Sequence, residues 1–313
     1  MLSLSLLIAI SGVVTGLCPP QDLISPFCVC REIFSDSMMV CSNLNNADNL
    51  IGPIRSTVAN GYTLFSLEIS NSSLLYIPHN LFSGTGIQYI RLDNSQLMSL
   101  SDTEVAFEGL EDTLVELRAT ASQYVSSWDW QQLKNLKQLK LIDVHHIVMG
   151  SISEPFPPLP ELTALGISDA EIEDVAYYAF ADLKKLKFLV LKNNGIRHLT
   201  RNMFPYPAND LVSLDLSNNE LETLPKDIFK AMPKLEIVFL DNNRFTTVSE
   251  DIFKEQFQRL QLFSLIGNDI ICDCRIRWTI DIRTPHDYDG KCAEPQSLNE
   301  RYLSSLGEHE LYC

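Results

Sequence analysis

The chain has 313 residues, of which 45% are hydrophobic, a composition typical of a folded protein of one or two domains. Its 24 basic and 40 acidic side chains give a formal charge of -16 at pH 7. Because an acidic surface repels polyanions, we expect no nucleic acid as the main partner.

The chain begins with an apolar run from Leu2 to Val14 that contains no Lys or Arg. Thr15 and Gly16 are small enough to precede a cleavage point. The run is shorter than the roughly 20 apolar residues of a membrane span, and no second apolar stretch follows. We interpret residues 1–16 as a signal peptide, with a retained anchor as the alternative. We therefore expect a secreted, extracellular protein without a stable membrane anchor.

All eight cysteines lie near the two ends: Cys18, Cys28, Cys30, Cys41, Cys272, Cys274, Cys292 and Cys313. An even number clustered in this way indicates disulfide bonds in an oxidising compartment. A zinc site is the alternative for two Cys-x-Cys pairs, but neither cluster has the usual two-residue spacing of zinc ligands. We expect neither a metal nor another cofactor.

The segment between the cysteine groups contains an internal repeat. The pattern L-x-x-L-x-L-x-x-N-x-L fits nine times, with these starting residues: Leu64, Ile87, Leu114, Leu136, Leu162, Leu186, Leu211, Leu235 and Leu260. Each copy opens with alternating apolar and polar residues, as in a strand with one buried face. A single copy cannot bury its own leucines, so the copies must stack. We predict a solenoid with a curved parallel sheet on its concave face and an irregular or 3-10 convex side.

A column of aromatic residues supports this register. Phenylalanines recur 18 or 20 residues after the first residue of a repeat, at Phe82, Phe107, Phe156, Phe180, Phe204, Phe229 and Phe253. In the third repeat, Trp130 takes the place of the phenylalanine. We predict that these rings form a core stack beneath the convex side.

The Asn position of the repeat divides the chain into two parts. The last four repeats carry Asn194, Asn219, Asn243 and Asn268, whose inward amides can satisfy buried backbone groups. The earlier repeats carry Ser72, Ser95, Ser122, Val144 and Ala170. Val144 and Ala170 cannot form such hydrogen bonds. We expect more irregular coils between Leu114 and Ala170, where the repeat length also varies most.

A solenoid needs caps over its terminal coils, and the cysteines lie where those caps must be. The last repeat continues into Cys272, Cys274 and Trp278, and this segment resembles the C-terminal module of extracellular leucine-rich-repeat proteins. The group that begins with Cys18 and Pro19 resembles their N-terminal module, although its first spacing is longer than usual. The resemblance implies an α/β leucine-rich-repeat solenoid with four bonds: Cys18 to Cys30, Cys28 to Cys41, Cys272 to Cys292 and Cys274 to Cys313.

The expected organisation is an N-terminal cysteine cap over 17–63, nine repeats over 64–267 and a C-terminal cysteine cap over 268–313. The length and the Cys-Pro-Pro sequence at 18–20 are most similar to secreted arthropod proteins related to the oplophorus-luciferin 2-monooxygenase non-catalytic subunit. That resemblance implies a companion or stabilising role, with no catalytic residues to carry over.

Outward-facing strand positions give two candidate partner-binding zones on the concave face. A basic stripe is expected from Arg91, Arg118 and Lys140 on consecutive strands. An apolar zone is expected from these residues, with Ile266 beside them: Phe188, Val190, Ile237, Phe239 and Leu262. We take Phe239 as the first choice of anchor. The alternative is that such residues merely suit strands, or that the C-terminal cap covers part of the zone.

Asn71, Ser72 and Ser73 form the only N-x-S/T sequon, which makes Asn71 the candidate glycosylation site. A glycan there would leave the apolar zone free.

No catalytic or nucleotide-binding motif is present, and the six histidines are scattered over the repeats. We therefore expect no enzyme. The predicted function is a secreted non-catalytic binding scaffold or companion subunit whose partner is a protein, such as an enzyme subunit or a receptor. The alternative is a matrix, cell-surface or innate-immune pattern-recognition protein.

Overall fold

The computed structural model describes residues 18–33 and 36–313. The expected signal peptide, residues 1–16, lies outside this described part. Within it, no helix is long and apolar enough to cross a membrane.

The dominant element is a sheet of 12 strands. Its strands, in spatial order, are β1 (Cys28–Ile33), β2 (Asp36–Ser42), β3 (Ser66–Ser70), β5 (Tyr89–Asp93), β7 (Glu116–Thr120), β8 (Leu141–His145), β10 (Ala164–Ser168), β12 (Phe188–Val190), β13 (Ser213–Asp215), β14 (Ile237–Phe239), β15 (Leu262–Ser264) and β17 (Asp287–Asp289). Only β1 and β2 pair antiparallel, and every later neighbour pair is parallel. The expected solenoid with a parallel concave sheet is confirmed.

Short elements complete some of the coils. Three two-stranded parallel sheets lie after the concave strands: β4 (Ser73–Tyr76) with β6 (Gln96–Ser99), β9 (Ser151–Ile152) with β11 (Asp174–Val175), and β16 (Ile270–Ile271) with β18 (Cys292–Glu294). The α-helices are α1 (Gln21–Ile24), α2 (Asp48–Ala59) and α3 (Glu250–Phe257). Within residues 18–33 and 36–313, the 3-10 helices span Val125–Ser127, Trp130–Leu133, Arg201–Met203, Cys274–Thr279, Leu303–Ser305 and Glu308–Glu310.

Both caps extend the concave sheet, so the terminal coils are covered by backbone pairing as well as by side chains. At the N-terminal end, β2 pairs with β3, and at the C-terminal end β17 pairs with β15. The structure has disulfide bonds between Cys18 and Cys30, Cys28 and Cys41, Cys272 and Cys292, and Cys274 and Cys313. These pairs are the ones that the resemblance implied.

The core contains the expected aromatic column. Ring centroids lie 6.0 Å apart between Phe82 and Phe107, and 5.0 Å apart between Trp130 and Phe156. The column continues into the C-terminal cap, where Trp278 packs 5.0 Å from Phe257. Because these rings are buried, they serve as core and not as a ligand site.

The fourth repeat starts at Leu139, so the expected start at Leu136 was wrong. In the sheet, Ile142 pairs with Leu117 on one side and with Leu165 on the other, and all three side chains are buried. Both starts satisfy the leucine pattern locally, but only the start at Leu139 brings the buried positions of neighbouring strands into register.

This correction removes the expected irregularity of length between Leu114 and Ala170, because the two repeats concerned become 25 and 23 residues long. It also moves the Asn position of the fourth repeat from Val144, a buried strand residue, to Ile147.

The four asparagines of the regular half form the expected ladder. Asn219 accepts a hydrogen bond from Ile196 N at 3.0 Å and donates to Leu191 O and Leu216 O. Asn194, Asn243 and Asn268 repeat this arrangement. In the earlier half, Ser72, Ser95 and Ser122 also bond to the backbone, but through a single hydroxyl each.

Candidate concave binding site

In-register pairing arranges the outward side chains of the concave sheet in rows across the strands. Three neighbouring strands, β8, β10 and β12, enclose a depression of about 430 Å³. The outward-facing residues of the central strand are the small Ala164, Gly166 and Ser168, whereas its two neighbours contribute larger side chains. The depression therefore follows from a strand of small residues between two strands of large ones.

The depression is apolar at one end and polar at the other. The row at the N-terminal ends of the strands contains Leu141, Ala164 and Phe188. Four residues further along, its lining includes His145, Ser168 and Lys192. The middle row is formed by Asp143, Gly166 and Val190. A ligand lying along the strands would thus meet different chemistry at its two ends.

Gly166 sets the depth at the middle of the depression. A Cβ atom built on Gly166 would lie 2.9 Å from Asp143 Oδ1. Any larger residue would displace this carboxylate and fill the floor.

The expected basic stripe does not form. Lys140 precedes β8, and the residue between Arg118 and Gly166 in the central column is Asp143. The guanidinium of Arg118 lies 2.8 Å from Asp143 Oδ2 and 2.9 Å from Glu116 Oε2. Its charge is therefore neutralised within the sheet, and exposed Arg91, which pairs with Arg118 on β7, has no neighbour there with an uncompensated positive charge.

The expected apolar zone is divided in two. Phe188 is 46% exposed and Val190 is half-buried, but the next strand presents Ser213 and Asp215 at the same positions. The second group, which consists of Ile237, Phe239 and Leu262, lies beyond this polar strand and is half-buried. Ile266, 47% exposed, lies at the edge of this group. Binding by all of these residues remains a prediction, but the first group borders the depression and the second does not.

Ala164, Gly166 and Ser168 were not among the site residues expected from the sequence. The available signal was their small size, between two strands rich in large residues. Leu141 and Asp143 were missed because the register of their strand was wrong.

A second missed feature is a column of left-handed residues directly after the strands. Residues with positive φ follow the repeat strands at Asn71, Asn94, Ala121, His146, Asp169, Asn193, Asn218, Asn242 and Gly267. Asn and Asp tolerate this conformation better than most residues. Pairs of them also bond across coils, as Asn94 Nδ2 does to Asn71 Oδ1 at 2.7 Å. The Asn-Asn dipeptides of the last repeats were a readable signal for this turn.

A larger depression, about 610 Å³, lies on the C-terminal cap, but two of its three carboxylates, Asp273 and Glu310, already have partners. Asp273 accepts from Arg275, and this hydrogen bond lowers the pKa of the carboxyl group. The pKa of Glu310 is lowered first by the Gly307 N–H and second by Arg301. These contacts stabilise the cap and make the concave depression the stronger candidate.

Comparison with known proteins agrees with this architecture. A family model described as "Leucine rich repeat" matches residues 209–270. The fold of the described residues is therefore that of a leucine-rich-repeat solenoid. Solved structures similar to this chain include the TLR13–ssRNA13 complex, with a TM-score of 0.61 and 22% identity over 74% of this chain and 32% of that chain. This likeness shows the fold alone.

Curated relatives cover different parts of the protein. The Leucine-rich repeat and fibronectin type III domain-containing protein 1 of Danio rerio is 26% identical over 54% of this chain and 26% of its own length. Tsukushi of Gallus gallus is 25% identical over 63% of this chain and 59% of its own length. The Oplophorus-luciferin 2-monooxygenase non-catalytic subunit of Oplophorus gracilirostris is 23% identical over 84% of this chain and 79% of its own length. The chain thus spans less than two thirds of the first two relatives.

Proposed function

We propose that this protein is a secreted, non-catalytic scaffold or companion subunit that holds a protein partner on its concave face. The observation that carries this proposal is the depression over β10, where half-exposed Phe188 stands beside a floor of small residues. Specific interfaces are organised around such pockets, which take a buried anchor side chain from the partner.

Two further observations support the extracellular, non-catalytic part of the proposal. Four disulfide bonds close the caps, and bonds of this kind persist in oxidising compartments. The Oplophorus relative is named a non-catalytic subunit, and its similarity extends over most of both chains. The named role of that relative makes an enzyme subunit a reasonable class of partner to seek.

The expected glycan at Asn71 is compatible with this use of the concave face. Asn71 is exposed in the turn after β3, and its side-chain oxygen accepts the bond from Asn94. The depression lies over β8, β10 and β12, several coils away. We propose that a glycan at Asn71 covers the N-terminal part of the solenoid and leaves the depression accessible.

The proposal is tested by affinity purification from extracellular fluid with the tagged, disulfide-bonded protein as bait. We expect one stoichiometric protein partner, and we expect Phe188→Asp to abolish its retention. Leu75→Asp is the matched control, because Leu75 is 67% exposed on the flanking sheet, away from the concave strands. Phe239→Asp tests the second apolar group separately.

Retention of the partner by Phe188→Asp, with circular dichroism unchanged, would exclude the depression as the anchor site. Recovery of glycan or microbial material in place of a protein would favour the pattern-recognition alternative.

A further inference from the structure

The polar end of the depression contains a hydroxyl group without a partner. Ser168 is only 6% exposed, and within the described residues its side chain makes no hydrogen bond. By contrast, the buried serines Ser72 and Ser95 bond to backbone carbonyl groups. Because Ser168 lines an open depression, its hydroxyl group is available to bond to a ligand there.

The charged groups around Ser168 favour an anionic ligand atom. Asp143 is held by Arg118, and Asp169 Oδ1 accepts a hydrogen bond from Asn193 Nδ2 at 3.0 Å. Exposed Lys192 lines the depression and forms no ion pair with any residue in the described ranges. An ammonium group and a hydroxyl group, both free to donate, together suit a carboxylate.

The spacing of the two ends suits an extended peptide. The apolar row at Leu141 and Phe188 precedes the polar end by four residues, or about 13 Å at the rise of a strand. An extended peptide lying along the strands has the same rise per residue as the strands, and its alternate side chains face the sheet. Its residues i and i+4 therefore lie as far apart as the two ends of the depression. The 430 Å³ volume is also within the usual range for ligand pockets, roughly 300 to 1,000 Å³.

We propose that the depression binds an extended acidic segment of the partner, with an apolar side chain at one end and an Asp or Glu carboxylate four residues away. The apolar side chain packs between Leu141 and Phe188, and the carboxylate accepts hydrogen bonds from Ser168 and Lys192. This inference rests on the proposed function and specifies the chemistry of the partner at that site.

The test is selection from a random-peptide display library on the folded, disulfide-bonded protein. Counter-selection uses Ala164→Phe, which fills the apolar end of the depression from an already outward-facing position. We expect the selected peptides to share an apolar residue at i and Asp or Glu at i+4. Fluorescence polarisation should show a loss of affinity of about tenfold for Lys192→Glu, because the substitution replaces an attractive charge pair with a repulsive one.

Two further variants separate recognition from folding. Ser168→Ala removes the unpaired hydroxyl group and should weaken binding several-fold without changing the circular dichroism. Lys187→Glu changes the charge in the same repeat outside the depression, so its affinity should equal that of the wild type. Replacing the acidic residue of the peptide with Gln should reproduce the effect of Lys192→Glu.

Selection of peptides without an acidic position, or unchanged affinity in Lys192→Glu, would overturn the inference. Displacement of the peptide by octanoate at equal affinity would assign the site to free carboxylic acids and also overturn it. If the partner retained from extracellular fluid is unaffected by Lys192→Glu but lost in Phe188→Asp, this inference fails while the proposed function stands. If the peptides bind but no protein partner is retained, the proposed function fails instead.

Discussion

Single residues in two columns specify how each coil turns at the end of its strand. The buried asparagine amides satisfy several backbone groups each, and the exposed residues before them adopt positive φ. Ala121 occupies the exposed column with φ of 49° although it lacks the side chain that makes this conformation favourable. A substitution in the buried column therefore removes hydrogen bonds, whereas a substitution in the exposed column changes the backbone strain.

Replacing Ala121 with Gly should raise the free energy of unfolding by up to about 1 kcal/mol, because Gly relieves the left-handed strain at the cost of a more flexible unfolded chain. Ala119→Gly is the matched control, since Ala119 is buried in β7 and should lose stability on the same change. Thermal unfolding followed by circular dichroism measures both. A lower melting temperature for Ala121→Gly would contradict the prediction.

Asn219→Ala should destabilise the protein by roughly 2 to 4 kcal/mol, because it leaves buried groups such as Ile196 N without a partner. Ser122→Ala at the corresponding position of the third repeat should cost less, since Ser122 makes one side-chain hydrogen bond to the backbone of its own turn. Calorimetric melting of the two variants checks this order. Equal losses would show that the amide ladder adds nothing beyond a single bond.

Among the elements, the C-terminal cap depends on ion pairs that acid can break. Glu310 accepts from Gly307 N at 2.9 Å and from Arg301, so two segments of the cap meet at one carboxylate. The pKa of Glu310 is lowered in the folded state by the Gly307 N–H and then by Arg301. Its contribution to stability is therefore present above its ordinary pKa of 4.5 and is lost as the pH falls through the lower, folded value.

We expect the melting temperature of the wild type to fall more steeply below pH 4.5 than that of Glu310→Gln, which has no carboxylate to protonate at this position. Glu308→Gln is the control, because Glu308 is an exposed carboxylate in the same 3-10 helix and forms no ion pair in the described chain. Calorimetry across this pH range gives the slopes. Parallel curves for the wild type and Glu310→Gln would refute a role for this carboxylate.

At the scale of the whole molecule, stability depends on keeping the terminal coils covered. The C-terminal cap covers Phe257 and Phe263 with Trp278 and Tyr288, and the bond between Cys272 and Cys292 closes this layer. Because each coil contacts only its neighbours, opening a cap exposes the next coil without unfolding the rest at once.

The double substitution of Cys272 and Cys292 by Ala should cost about 2 to 5 kcal/mol and increase the binding of a hydrophobic dye. The same change at Cys18 and Cys30 should have a smaller effect on dye binding, since this bond lies outside the first buried coil and both its cysteines are half-buried. Dye fluorescence and light scattering at equal protein concentration measure the difference. Equal dye binding by both variants would argue against cap opening as the cause.

The sequence by itself determined the fold class, the aromatic core and the asparagine ladder, because each depends on a residue type that recurs at a fixed spacing. The cap disulfides followed from resemblance to known modules. The start of the fourth repeat could not be predicted from the leucine pattern, because both Leu136 and Leu139 satisfy it. Only the pairing of β8 with β7 and β10 shows that the repeat starts at Leu139.

The candidate site was decided by tertiary structure for the same reason. The depression exists because three strands distant in sequence place large, small and large side chains side by side, and the neutralisation of Arg118 depends on Asp143 of the adjacent strand. A sequence pattern gives the face on which each side chain lies. The neighbours across that face, which set its shape and charge, follow only from strand register.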